Sequence, residues 1–290
     1  MVITKLTGGL GNQMFQYAIG RSMAERNKTN LALDLSGFDY QIGITLRQYE
    51  LFVFNIKEDF FISRRNKKIK RLMIRPLVNK VLNTFYLKLR GINKVIEKHY
   101  NFDPTILKLK SEVYLEGYWQ TEKYFSGIAD IIRSEFTLKN KYNNINLEIL
   151  NNIDSYNSVS IHIRRGDYVS DQKASEYHGS CPLEYYQKAI SFIAKKIPDP
   201  IAYIFSDDLE WCKENLKIDW PIIFVEGNND YEDLILMSRC KHNIIANSSF
   251  SWWGAWLNNN PDKIVIAPRQ WFVDKSINII DVVPESWTKI

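Results

Sequence analysis

MVITKLTGGLGNQMFQYA, residues 1–18, joins an apolar run to a glycine-rich turn and then to apolar residues at helical spacing. The run Val2–Leu6 is typical of a short buried strand, and the residues after Gly11 favour a helix. LALDL at 31–35 has the composition of a second strand. A strand, a turn, a helix and a strand in this order predict the start of a parallel α/β sheet.

Strand-like and helical segments alternate still more regularly in the second half, which begins with SVSIHIR at 158–164. This rhythm is typical of a doubly wound α/β domain. The segment 139–157 between the two halves is polar and rich in Asn, which favours a domain boundary. We therefore predict an α/β protein with two domains, 1–150 and 151–290, whose ligands bind beyond the carboxyl ends of the strands.

The composition is typical of a large globular chain, with 290 residues of which 45% are hydrophobic and 24% charged. A net charge of +5 suits a small anionic ligand and is too small to indicate a nucleic-acid partner. Cys181, Cys212 and Cys240 form no CxxC pair, which favours a reducing compartment. No signal peptide or membrane-spanning run is apparent, so we expect a cytoplasmic protein. The absence of GxSxG, Walker and HExxH patterns argues against hydrolase, P-loop and zinc chemistry.

One segment is strongly basic, since six of the eight residues in RRNKKIKR, 64–71, are Lys or Arg. Apolar residues at helical spacing in and around it predict an exposed helix with one buried stripe. Its basic face is either a solvated surface or a peripheral contact with a membrane or an acidic partner.

Two adjacent arginines follow the first strand of the second domain, in SVSIHIRRGDY at 158–168. Period-2 alternation delivers Arg164 and Arg165 to the carboxyl end of this strand, where Gly166 permits a sharp turn. Guanidinium groups match phosphate oxygens in bidentate geometry, and Asp167 can fix one of the two. The pattern predicts an anion site, and the alternative is a surface Arg–Asp pair.

Another strand is followed by NSSFSWWGAWL, 247–257, in which serines open a helix rich in tryptophan. Serine hydroxyls and free backbone N–H groups at the start of a helix can cradle a phosphate. We interpret Trp252, Trp253 and Trp256 as helix packing, with ligand stacking as the alternative.

Two aspartates, Asp207 and Asp208, follow a further strand in IFSDDLEW, 204–211. Three roles are open to them: capping the next helix, accepting from a guanine edge, or binding a metal. We rank the metal lowest, because two arginines already supply positive charge and the four histidines show no metal-ligand spacing.

The glycine turn of the first domain has three interpretations. Gly9 and Gly11 start a dinucleotide fingerprint with Asp34 as the ribose acid, but a methionine replaces the third glycine. A second interpretation lets the backbone approach a ligand while Asn12 and Gln13 donate from the start of a helix. The third is a tight turn capped by Asn12.

Four segments together resemble the bacterial α-1,2-fucosyltransferases, glycosyltransferase family 11: GGLGNQMFQYA at 8–18, GYWQTEKYF at 117–125, HIRRGDY at 162–168 and NSSFSWWGAWL at 247–257. The resemblance implies a GT-B-like fold of two Rossmann-like domains facing a cleft, the first mainly for the acceptor and the second for GDP-fucose. It implies inverting transfer of L-fucose from GDP-β-L-fucose to the 2-hydroxyl of a terminal galactoside. It also implies that no metal or cofactor is needed, and a place in surface-polysaccharide or O-antigen synthesis.

The resemblance implies roles for individual residues as well. Arg164 and Arg165 would clamp the diphosphate, and we expect Arg165 to dominate catalysis, with Asp167 and Asn12 as further catalytic residues. His162 and one of the two aspartates, Asp207 or Asp208, would contact the guanosine. The other implied contacts to the donor are Asn247, Ser248, Ser249, Phe250 and Ser251 in the second domain and Gly11, Asn12 and Gln13 in the first.

The base that takes the proton of the acceptor hydroxyl is open among Asp167, Glu116 and Glu122. Two rival functions are also open. A nucleotide-cofactor oxidoreductase would use Gly9, Gly11 and Asp34, whereas a non-catalytic nucleotide-sugar-binding protein would bind GDP and turn nothing over.

Overall fold

The computed structural model describes residues 1–39, 46–57, 59–61, 87, 89–110, 112–140 and 147–290, without the side chains of Asp167, Ser170, Lys173 and Ala174. These residues form two compact units, Met1–Lys139 and Asn140–Ile290. Each unit contains a parallel sheet with helices, which confirms the α/β class and the two Rossmann-like domains of a GT-B-like chain. The units divide at the start of the polar segment 139–157.

The first unit has a four-stranded parallel sheet in the order β2-β1-β4-β3. Its elements are β1 Val2–Lys5, α1 Leu10–Arg26, β2 Leu31–Asp34, β3 Asn93–Ile96, β4 Val113–Glu116 and α2 Ala129–Glu135, with short 3-10 turns at Leu35–Phe38, Leu51–Val53, Ile106–Lys108, Glu122–Tyr124 and Ser126–Ile128. A side-chain carbon at Gly20 would lie 2.8 Å from Leu31 Cδ1, so this glycine lets α1 approach β2 closely. The predicted strand–turn–helix–strand unit is confirmed.

One predicted helix is shorter than expected. The sequence favours a helix from about 121 to 136, but α2 begins at Ala129, after two 3-10 turns. Phe125 has φ −135° and Ile128 has φ −130°, so both leave the helical region and interrupt the hydrogen-bond ladder.

The second unit has a six-stranded parallel sheet in the order β10-β9-β8-β5-β6-β7. Its elements are α3 Leu147–Ser155, β5 Asn157–Ile163, α4 Gly166–Ser170, α5 Gln172–Tyr177, α6 Leu183–Ala194, β6 Pro200–Ser206, α7 Leu209–Asn215, β7 Ile222–Phe224, α8 Asp230–Arg239, β8 His242–Ile244, α9 Ser249–Leu257, β9 Val265–Ala267 and β10 Thr288–Lys289. The predicted domain boundary after residue 150 falls inside α3, which belongs entirely to this unit.

The strand β5 lies inside this sheet, paired with β6 on one side and β8 on the other. All of its residues from Ser158 to Ile163 are buried, because helices cover both faces of a doubly wound parallel sheet. The alternation of apolar and polar residues in β5 therefore separates two buried faces. The sequence did not predict α4, α5 or β10, which are all short.

The basic segment 64–71 lies outside the described residues, so its predicted helix stays a prediction. Among the helices of the described ranges, none has the length and apolar character needed to cross a bilayer.

Candidate functional site

Three loops of the second unit meet at one edge of its sheet. The strands β8, β5 and β6 are neighbours, and all run in parallel, so their carboxyl ends lie side by side. The rings of His162 and Phe250 lie 5.6 Å apart, and the Tyr168 hydroxyl donates to the Asn247 carbonyl over 3.4 Å. The HIRRGDY and NSSFS loops, predicted separately, thus form one site.

Both arginines of this site are held by aspartates from the next strand end. Arg164 Nη1 lies 2.9 Å from Asp207 Oδ2, and Arg165 Nε lies 3.0 Å from Asp208 Oδ2. The predicted partner, Asp167, lies at the start of α4, and its side chain is outside the described part of the structure. Pairing of β5 with β6 brings these partners together across more than 40 residues of sequence, since Ile163 is in register with Ser206.

Arg165 is fixed more firmly than a surface arginine would be. Its guanidinium lies 4.0 Å from the centre of the Trp211 ring, a cation–π contact. Its backbone N–H donates to Asp207 Oδ1 over 2.8 Å. Among the described residues, Nε is the guanidinium nitrogen that donates a hydrogen bond, to Asp208. The side chain is 21% exposed. The two terminal nitrogens are therefore oriented in advance for a further acceptor.

The two aspartates are bonded to the arginines and to the start of α7, which bears on their predicted roles. Asp208 caps α7, since its Oδ1 accepts from the Trp211 backbone N–H over 3.2 Å while Oδ2 meets Arg165. A side-chain carbon at Gly166 would lie 2.5 Å from Asp207 Oδ2, so the glycine allows the close approach of Asp207. No group of three potential metal ligands occurs among the described residues. The helix-cap interpretation is correct for Asp208, and both carboxylates hold arginines.

His162 is a buried neutral imidazole beside the arginines. Burial, followed by the positive charge of Arg164, lowers its pKa to about 3, against a smaller opposing effect of Asp207. Its Nδ1 is buried and has no hydrogen-bond partner among the described residues. A buried nitrogen without a partner costs about 1–3 kcal/mol, which a ligand that bonds to it would recover.

The serine loop begins α9, as predicted. Ser248 caps the helix by accepting from the Phe250 backbone N–H over 3.3 Å. Ser251 is buried and donates to the Ser248 carbonyl, 3.4 Å away. The loop therefore presents the backbone of the first helical turn, where Ser249 and Phe250 lie, rather than the Ser251 hydroxyl.

Asn247 holds this edge of the unit together. Its buried Nδ2 donates to the carbonyls of His178, Gly179 and Trp271 at 3.0, 2.9 and 3.2 Å. To donate to the sugar nucleotide as predicted, the Asn247 side chain would have to give up one of these hydrogen bonds.

The tryptophans of α9 are core residues, as interpreted. Trp252, Trp253 and Trp256 are buried against one another and Trp287, and Trp252 Nε1 donates to the Val282 carbonyl over 2.8 Å. They anchor the helix whose first turn forms part of the site.

The glycine turn of the first unit directs its amide side chains inward. Gln13 is fully buried, and its Nε2 donates to the carbonyls of Gly8 and Gln48 at 2.9 and 2.8 Å. Its Oε1 accepts from the Glu50 backbone N–H over 2.9 Å. Every hydrogen-bonding group of the Gln13 amide is thus bonded to the backbone, either in the turn that begins at Gly8, with φ +77°, or in the segment at Gln48 and Glu50. The prediction that Gln13 donates to a ligand has no free N–H to support it.

Asn12 joins two of the predicted motifs. Its Oδ1 accepts from Gln120 Nε2 over 2.8 Å, so the GGLGNQ turn and the GYWQT segment are neighbours. Gln16, which sequence reasoning did not single out, reinforces this link. It accepts from the Thr7 backbone N–H at 2.9 Å and donates to the Gly117 carbonyl at 3.1 Å.

The proposed acids of the first unit are also engaged. Glu116 meets Lys5 Nζ at 2.8 Å and Lys94 Nζ at 2.6 Å. Burial by itself raises the pKa of Glu116, but the hydrogen bonds from Lys5 and Lys94 outweigh it and lower the pKa overall, which makes Glu116 a weak base. Glu122 lies in a 3-10 turn and acts electrostatically on Arg133.

Asp34 cannot act as a ribose acid without breaking existing bonds. It is buried, and its carboxylate accepts from the Ser36 backbone N–H at 2.9 Å and the Tyr114 hydroxyl at 2.6 Å. The dinucleotide interpretation of the glycine turn loses its acidic residue as well as its third glycine.

A fold of two parallel-sheet α/β domains, with a paired-arginine site at a carboxyl edge, is that of a GT-B-like glycosyltransferase. The chain belongs to glycosyl transferase family 11, whose family model matches residues 1–290.

Three curated relatives illustrate the range of the family. An Escherichia coli "Alpha-1,2-colitosyltransferase" is 39% identical over 100% of this chain and 99% of its own length. The Escherichia coli "O-antigen biosynthesis glycosyltransferase WbnK" is 37% identical over 98% of this chain and 99% of its own length. "Galactoside alpha-(1,2)-fucosyltransferase 1" of Leontocebus fuscicollis is 27% identical over 49% of this chain and 42% of its own length.

Proposed function

We propose that this protein transfers L-fucose from GDP-β-L-fucose to the 2-hydroxyl of a terminal galactoside, forming an α-1,2 linkage with inversion. The observation that carries the proposal is the pair Arg164 and Arg165, held by aspartates at the ligand edge of the second sheet. The names of two of the relatives support an α-1,2 transfer, and the name of the third includes O-antigen biosynthesis. We place the protein in that pathway class, in the cytoplasm.

In the proposed reaction, the bond between the sugar C1 and the β-phosphate oxygen breaks as the acceptor oxygen bonds C1 from the opposite face. The acceptor hydroxyl releases its proton to water, and GDP leaves with the electron pair of the broken bond. Negative charge builds on the departing phosphate, where the terminal nitrogens of Arg165 donate. A preorganised donor of this kind contributes about 2.7–4 kcal/mol to transition-state stabilisation. This chemistry needs no metal, because the two arginines supply the positive charge.

We assign the nucleoside end of the donor to His162, and contacts to the phosphates to the first turn of α9. The neutral imidazole of His162 offers a nitrogen that lacks a partner in the described residues, beside Phe250. In this proposal Asp207 and Asp208 act through the arginines that they hold, and the expected contact of one of them with the guanosine stays a prediction.

A second donor is favoured by a specific observation, since the relative that is 39% identical over the whole chain is named a colitosyltransferase. The alternative function is therefore transfer of colitose in the same linkage. The arginine site serves both donors equally, because it acts on the diphosphate and not on the sugar.

The test incubates the protein with a panel of β-galactosides and with GDP-fucose or GDP-colitose, each with and without EDTA. We expect GDP release with GDP-fucose and a product whose NMR spectrum shows an α-1,2 linkage. Turnover confined to GDP-colitose selects the alternative donor. GDP binding without release from either donor supports the non-catalytic rival and contradicts the proposal, while loss of turnover on EDTA addition contradicts metal independence.

A further inference from the structure

A cavity of about 340 Å³ lies at the carboxyl edge of the first sheet, next to the ends of β1, β3 and β4. All of its lining residues belong to the first unit, and we call it the Tyr118 pocket. The lining includes Thr7, Glu97, Lys98, His99, Tyr100 and Tyr118. This volume is at the lower end of the range for small-ligand sites, about 300–1,000 Å³.

The lining of the Tyr118 pocket carries charges of both signs. The carboxylates of Glu97 and Glu116 oppose the ammonium groups of Lys5 and Lys98, and Lys5 Nζ lies 2.8 Å from Glu116. The lining also combines hydrogen-bonding groups with two tyrosines, which suits an uncharged polyol.

Glu97 fixes the turn that presents Tyr118. Its Oε2 accepts from the Tyr118 backbone N–H over 2.6 Å, and its Oε1 accepts from the Trp119 backbone N–H over 3.0 Å. A side-chain carbon at Gly117 would collide with the Glu97 side chain, so only glycine fits there. The turn therefore leaves the Tyr118 side chain at the surface, with 40% of the residue exposed.

The same turn stores backbone strain. Trp119 is fully buried with φ +59°, a conformation that is rare for a bulky residue. Strain of this kind costs about 1–3 kcal/mol and clusters at ligand-binding sites. The buried atoms Trp119 Nε1 and Gln120 Oε1 also have no partner among the described residues. The turn is held against its local preference, as expected of a segment shaped for a ligand.

We propose that the Tyr118 pocket binds an uncharged sugar residue of the acceptor glycan. One face of the sugar ring packs on Tyr118, and the charged and polar lining groups bond to its hydroxyls. This inference rests on the proposed function, since it assigns the acceptor side of the same reaction to the first unit.

The test compares Tyr118→Ala with Tyr156→Ala, a matched control in the second unit with 52% of the tyrosine exposed. We expect Tyr118→Ala to raise KM for lactose at least about tenfold, with KM for the donor sugar nucleotide unchanged. Ligand-observed NMR with lactose alone should show weaker binding to Tyr118→Ala and unchanged binding to Tyr156→Ala. His99→Ala, at an exposed lining position, should raise KM for lactose by a smaller factor and serves if Tyr118→Ala does not fold.

The two proposals fail in different ways. Wild-type lactose affinity in both pocket variants, with transfer intact, overturns the inference and leaves the function standing. Lactose binding that depends on Tyr118, in a protein that transfers neither sugar, supports the pocket and contradicts the function. A wild-type protein that neither binds nor transfers to any β-galactoside of the panel contradicts both.

Discussion

Two strand-end loops, HIRRGDY in the second unit and GGLGNQ in the first, look alike in sequence and differ in what their polar side chains do. Both place glycine and polar residues after a buried strand. In HIRRGDY, Arg165 is held by Asp208 and Trp211, and Nε is the guanidinium atom that is engaged among the described residues. In GGLGNQ, the amide of Gln13 is buried and entirely used by backbone groups. We propose that the arginine of HIRRGDY contacts the donor, whereas the Gln13 amide of GGLGNQ holds the backbone in place.

The largest effect that would test this contrast is expected from Arg165→Ala. Because a preorganised donor to the leaving phosphate is lost, kcat/KM for transfer should fall about 10²–10³-fold with the unfolding temperature nearly unchanged. Arg239→Ala is the matched control, since Arg239 pairs with Asp154 at 2.6 Å in the same unit. Near-normal transfer by Arg165→Ala would show that the braced arginine is structural too.

The opposite pattern is expected from Gln13→Ala. Three hydrogen bonds of a buried side chain are lost, so the free energy of unfolding should fall by about 2–3 kcal/mol, while the affinity for GDP stays unchanged. Denaturant titration and calorimetry measure the two quantities. A loss of GDP affinity at unchanged stability would restore the ligand role predicted from sequence and remove the contrast.

A smaller effect is expected from Asp207→Asn, which keeps the side-chain shape and removes the charge that pairs with Arg164. The arginine remains but is oriented less firmly, so kcat/KM should fall about tenfold, or about 1.4 kcal/mol. Asp154→Asn, which affects the pair with Arg239, is the control. An equal small loss in both variants would mean that the aspartate does not position the arginine.

A further effect concerns pH and His162. Its native pKa of about 3 lies below the unfolded value of about 6.5, so the unfolded chain binds the extra proton between these values. The contribution of the neutral imidazole to the free energy of unfolding is fully present above about pH 6.5. It is lost as the pH falls toward 3, at no more than about 1.4 kcal/mol per pH unit. Unfolding curves of wild type and His162→Asn should diverge across this window. Parallel pH dependence would contradict a buried neutral imidazole.

The sequence predicted the position of the arginine pair because apolar alternation in β5 and a following glycine mark the end of a buried strand. It did not predict the partners, because Asp207 and Asp208 reach the arginines only through the pairing of β5 with β6. The aspartates and the arginines were both recognised as candidates, but strand order was needed to connect them.

The direction of the amides in the first loop could not be predicted in the same way. The partners of Gln13 lie in the irregular segment around Gln48 and Glu50, where no periodic pattern fixes the backbone. The role of Glu97 was also hidden, because it depends on the left-handed conformation of Trp119, which has no sequence signature.

The central claim is that Arg165 binds the diphosphate of the donor. The most direct measurement is calorimetric titration of wild type and Arg165→Ala with GDP and with guanosine. The account predicts that the variant binds GDP at least about tenfold more weakly, as for a lost charge-assisted hydrogen bond, and binds guanosine as wild type does. Unchanged affinity for GDP, or an equal loss for both ligands, would contradict it.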